Sequence, residues 1–63
     1  MLEIIVERWS NRDGSVDYLW SVWLDGRRRE MGGPVQDAAA AEAAAAEYCR
    51  GQLARKPDRV TRL

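Results

Sequence analysis

Histidine is absent from this 63-residue chain, and cysteine occurs once, at Cys49. Those two facts remove most of the chemistry open to a small domain. No Ser–His or Cys–His pair can be built, and no imidazole is present to act as a general base. A thiolate at Cys49 would need something to lower its pKa, yet the residue lies towards the C-terminus of an alanine-rich helical run. That is the wrong end of a helix dipole for negative charge. Cys49 therefore reads as a small buried apolar residue. Gly32-Gly33-Pro34 ahead of the run resembles an anion-binding loop, but no Lys-Ser or Lys-Thr follows, and Asp37 would repel a phosphate. Asp13 with Asp17, and Glu42 with Glu47, have the spacing of solvated surface charge. No catalytic residue, cofactor or metal site is expected, and the reading is of a protein that is not an enzyme.

Two sets of binding residues remain. One is aromatic and apolar: Trp23 and Leu19, with either Ile5 and Trp9 or Ile4 and Val6. The other is basic: Arg27, Arg28 and Arg29 in one run, and Arg50, Arg55, Lys56, Arg59 and Arg62 near the end of the chain. Which residues of each set share a surface depends on the elements that carry them.

Val16 to Leu24 is aromatic and β-branched with no Gly or Pro inside, so it predicts a strand. Alternation puts Val16, Tyr18, Trp20, Val22 and Leu24 on a wholly apolar face. Asp17, Leu19, Ser21 and Trp23 point the other way. Asp25-Gly26 is a two-residue type I′ turn signal, which pairs Leu24 with Arg27, Trp23 with Arg28 and Trp20 with Met31. In that register Met31 packs on Trp20 inside and Arg28 lies over Trp23 outside. The third strand then runs over 27–31 and stops at Gly32-Gly33-Pro34.

Residues 2–9 form the first strand, joined to 16–24 through the turn-forming stretch Ser10 to Ser15. The register of this hairpin stays open. An odd loop with a bulge at Gly14 sets Ile4 by Leu24 and Val6 by Val22 on the core face, leaving Ile5 and Trp9 with Trp23 and Leu19 outside. An even loop at Asp13-Gly14 exchanges the two sets. Either way apolar side chains occupy both faces of the sheet.

Eight alanines between Ala38 and Ala46, among Glu42, Glu47, Arg50 and Leu53, predict a helix over about 37–53. Asp37 is its N-cap or first-turn acid. Ala41, Ala45, Tyr48, Cys49 and Leu53 make its buried stripe, small residues being needed against a sheet face that carries Trp20 and Tyr18. Residues 58–63 read as a short terminal strand or a frayed tail.

The expected fold is one α+β domain over 1–63. It has a three-stranded antiparallel sheet in order 1-2-3, one alanine-rich helix packed on one face, and room for a short fourth edge strand. A chain of this length barely fills a single core, and neither a disulfide framework nor a zinc site staples it. No apolar run is long enough to span a bilayer, and no basic signal-peptide start is present. A cytoplasmic location is the expectation, and a reduced Cys49 fits it.

The order of a Trp-containing strand (Trp20-Ser21-Val22-Trp23-Leu24), an Asp25-Gly26 turn, Gly33-Pro34 and an alanine-rich helix resembles small bacterial domains of β-β-β-α or β-β-β-α-β order. It also resembles the arm-type DNA-binding domains of tyrosine integrases, over about residues 16–53. The second resemblance implies a sheet laid into a nucleic-acid groove. This chain departs from it by its acids on strand edges and its balance of ten basic and ten acidic residues.

The leading expectation is an interaction module whose partner is protein, most simply a second copy of the chain. Its interface is Trp23, Leu19, Trp9 and Ile5, the apolar set left on the outer face by the odd register. That face is an interface unless the C-terminal tail folds over it or Arg8 and Arg28 lie on the rings. The rival is nucleic-acid binding through Arg27, Arg28, Arg29, Arg59 and Arg62, which requires the tail to lie near the third strand.

Overall fold

Asp25 and Gly26 both adopt positive φ, 52° and 83°, as a type I′ turn requires. They join β2 (Val16–Leu24) to β3 (Arg27–Val35) in the computed structural model, which describes residues 1–63. Before them comes β1 (Leu2–Ser10); after them come α1 (Ala38–Leu53) and β4 (Arg59–Arg62). The fold is α+β, with the sheet order β3-β2-β1-β4. The expected three-stranded antiparallel unit is present, and β4 joins it parallel to β1.

The first hairpin closes with an odd loop. Its five residues, Asn11 to Ser15, are held by the Asn11 N–H donating to Ser15 O at 2.8 Å, with Gly14 at φ 90°. The faces are those expected for an odd loop, but the pairing lies one two-residue step away. Ile4 stands opposite Val22 and Val6 opposite Trp20, because the loop takes up Asn11 and Arg12 instead of closing on three residues and a bulge.

The third strand departs from its expected register. Trp23 pairs with Arg28 as expected, but Val22 then pairs with Glu30 and Ser21 with Met31. Arg29 is an extra residue, a β-bulge of the kind common on sheet edges. The bulge turns Met31 to the outer face, so the inner contact expected with Trp20 does not form. Gly32 takes that place. The Trp20 indole lies so close that a Cβ at position 32 would meet its ring at 2.5 Å. Nor does the strand stop at Met31. A second irregularity between Tyr18 and Trp20 brings Val35 opposite Tyr18, with Pro34 accommodated on an edge strand where its missing N–H costs least.

The helix covers one face only. Asp37 is its N-cap, accepting the Ala40 N–H at 2.7 Å, and Ala54 ends it in the left-handed conformation. Leu2, Ile4, Val6 and Val22 from the sheet meet Ala41, Ala45 and Cys49 from the helix in a core of seven fully buried residues. Tyr48 and Leu53 of the expected stripe flank it, half-buried, and Tyr48 packs on Trp20 at 6.3 Å between ring centroids. A core this small provides limited stabilisation, at about 1.5–3 kcal/mol per buried large aliphatic side chain.

Residues 59–62 are a strand, and its entry is fixed by two reciprocal bonds. The Asp58 N–H donates to Leu2 O at 2.7 Å, and the Leu2 N–H donates to Asp58 Oδ2 at 2.7 Å. These bonds hold β4 in the plane of the sheet, beside β1. No helix is long and apolar enough to cross a membrane.

Candidate functional site

The sheet face opposite the helix is open, and its composition follows from the register. The pairs that point outward are Glu3 with Trp23, Ile5 with Ser21, Glu7 with Leu19, and Trp9 with Asp17. Each pair holds one apolar and one polar residue, in alternating order. The apolar members therefore run diagonally as a zigzag, Trp23 to Ile5 to Leu19 to Trp9, down the two central strands. All four residues expected at a protein interface share this face. Ile5, Leu19 and Trp23 are half-buried among their neighbours, and Trp9 is 53% exposed.

Neither expected cover is in place. The C-terminal segment lies in the sheet plane as β4. Arg8 stands opposite Tyr18, on the face away from Trp9 and Trp23. Arg28 is on the outer face, beside the rings at the margin of the zigzag.

Both outer indoles are pinned by the residue two positions before them. Trp23 Nε1 donates to Ser21 Oγ at 2.8 Å, and Trp9 Nε1 donates to Glu7 Oε2 at 3.1 Å. Residues i and i−2 share a face in a strand. Because β1 and β2 run in opposite directions, the two bonds tilt the rings towards each other. Between them lies a hollow of about 230 Å³ lined by Leu19, Met31, Glu7 and Arg28. Rings fixed in this way lose little freedom when a partner covers them, which favours binding. A second hollow, of about 320 Å³, lies on the far side of Trp23, between Ile5 and the Glu3–Arg59 pair.

The charges on this face divide into paired and unpaired. Arg59 Nε and Nη2 donate to the Glu3 carboxylate at 2.9 and 3.0 Å, and Thr61 Oγ1 adds a bond at 2.8 Å. Arg59 first, then Thr61, hold the Glu3 carboxyl below its usual pKa range. Asp17 accepts from Asn11 Nδ2. Glu7 and Arg28 form no ion pair within the chain.

The five arginines expected to form one basic surface do not come together. Arg27, Arg28 and Arg29 lie on β3 at one edge of the sheet; Arg59 and Arg62 lie on β4 at the opposite edge, beyond β2 and β1. Arg59 is committed to Glu3, and Arg62 donates to Glu42 on the helix at 3.1 Å. The requirement that the tail lie near the third strand is not met. Cys49 is fully buried, and desolvation pushes its thiol pKa up, away from nucleophile chemistry.

Sequence reasoning missed Met31, Ser21 and Glu7 as parts of the site. The signal for the last two was present: Glu7-x-Trp9 and Ser21-x-Trp23 repeat one acceptor-to-indole spacing in both strands. Met31 had no such signal, since its place depends on the bulge at Arg29. Comparison with models of protein families, with curated proteins and with solved structures finds no match for this chain.

Proposed function

We propose that the chain is a non-enzymatic interaction module that forms a homodimer through its open sheet face. The observation that carries this reading is the zigzag of Trp23, Ile5, Leu19 and Trp9 on a face that no other part of the chain covers. An antiparallel sheet with one bare face normally makes that face polar. Here it holds two tryptophans, each able to bury on the order of 150–250 Å². With four strands about 4.8 Å apart and up to nine residues long, the face measures on the order of 500 Å². Two such faces together bury on the order of 1,000 Å², the lower bound for a specific interface. A second copy is also the partner that adds the apolar burial a seven-residue core lacks.

The nucleic-acid reading retains only Arg27, Arg28 and Arg29 on one edge, and three residues interspersed with acids make a weak phosphate footprint. Salt separates the two readings. Sedimentation equilibrium over roughly 1 μM to 1 mM protein, a range suited to an interface of this size, is expected to show a mass rising to two chains at both low and high salt. A single-chain mass throughout would refute the homodimer. Duplex or single-stranded nucleic acid bound tightly at low salt and released at high salt would favour the rival.

A further inference from the structure

From the charges around the central hollow we infer that the interface is closed by a reciprocal pair: Arg28 of each copy meets Glu7 of the other. The inference rests on the homodimer reading and specifies its geometry.

Glu7 and Arg28 border the same hollow between the two pinned indoles. They lie on opposite flanks of it, Glu7 on β1 and Arg28 on β3, with β2 running between. Neither has an ion-pair partner in its own chain, whereas Glu3, Arg59, Glu42 and Arg62 are all paired. Two opposite charges on either side of one apolar hollow match the demand of an isologous interface, in which residue i meets residue j and j meets i. A two-fold axis passing over the hollow, between the facing sheets, exchanges its flanks. Each Arg28 then stands over a partner's Glu7, and the apolar residues of the two faces close on one another between the two pairs. Without such pairing, covering the hollow would leave the Glu7 carboxylate and the Arg28 guanidinium uncompensated, which burial penalises. Charge complementarity of this kind fixes register more than it adds affinity.

The test is a mixing experiment with Glu7→Arg and Arg28→Glu, each confirmed as folded by far-UV circular dichroism and followed by sedimentation. In a homodimer of either variant, like charges oppose twice, so the dissociation constant is expected to rise roughly tenfold or more. In the mixed dimer both contacts join opposite charges again, so equal mixing restores dimers at concentrations where each variant alone is monomeric. Interaction within one chain cannot give that result. A control pair, Glu47→Arg and Arg50→Glu on the exposed side of the helix, carries the same net charges and is expected to show no preference for mixed dimers. If wild type dimerises and the variants do so equally well, or if mixing rescues nothing, the Glu7–Arg28 contact is refuted and the homodimer stands. Mixed-dimer preference in the control pair would equally refute it. A monomeric wild type refutes both.

Discussion

Replacing Trp23 with glutamate is expected to abolish the dimer while leaving the fold in place. Trp23 sits at one end of the apolar zigzag, between the two hollows of the open face, and none of the seven core residues shares that face. Truncating an aromatic anchor of an interface typically costs about 2–4 kcal/mol of binding free energy, roughly a 30- to 700-fold weaker dimer. The new carboxylate adds a desolvation cost on top. Within the monomer the exchange removes the Nε1–Ser21 bond and some strand propensity, worth about 1 kcal/mol or less on a half-exposed position. The check is sedimentation alongside thermal melts. The variant is expected to be monomeric at all accessible concentrations, with a melt that no longer depends on concentration. At dilutions where wild type is also monomeric, the two should melt within several degrees of each other. A Trp23→Glu chain that still dimerises would place the interface elsewhere.

Two adjacent isoleucines give the second large effect, because they point to opposite sides of the sheet. Ile4 is fully buried opposite Val22 and clusters with Ala41 and Ala45. Ile4→Ala removes one of only four large, fully buried aliphatic side chains, at a cost of about 2–5 kcal/mol. For a domain of this size that is a major share of a total stability of roughly 3–9 kcal/mol. The melting temperature should fall by roughly 10–40 °C, and the chain should be largely unfolded near the upper end of that cost. Ile5→Ala leaves the core untouched. Its monomer should melt close to wild type, and its dimer should weaken, since Ile5 lies beside Trp23 in the zigzag. Equal losses of monomer stability from the two variants would contradict the assignment of one face to the core and the other to a partner.

Much of this arrangement is legible in the residues because local chemistry determines it. Asp25-Gly26 fixes the second hairpin through a turn that tolerates few other pairs, and Asp37 caps the helix as a short acid before an alanine run should. The alternation in Val16 to Leu24 separates Trp20, which packs inside, from Trp23, which does not. What escapes the sequence depends on long-range partners. Nothing in Arg27-Arg28-Arg29 announces that Arg29 is extra. The bulge becomes visible only once Gly32 is found beneath the Trp20 indole and Val35 opposite Tyr18. The position of β4 is likewise settled by Asp58 exchanging bonds with Leu2, 56 residues away. That single placement separates the two groups of arginines and pairs Arg59 with Glu3. The basic surface is lost for a topological reason, and the apolar face stays open for the same one.

The most direct measurement is a search for contacts between chains by isotope-filtered nuclear Overhauser spectroscopy, on a mixture of carbon-13-labelled and unlabelled protein. If the open face is the dimer interface, intermolecular signals will connect the Trp23 and Trp9 indole protons with Leu19, Ile5 and Met31 of the partner, and Ala39 and Ala43 on the exposed side of the helix will show none. Intermolecular contacts confined to the helix or to the β3 and β4 edges, or none in a sample whose mass is that of two chains, would contradict the proposed interface.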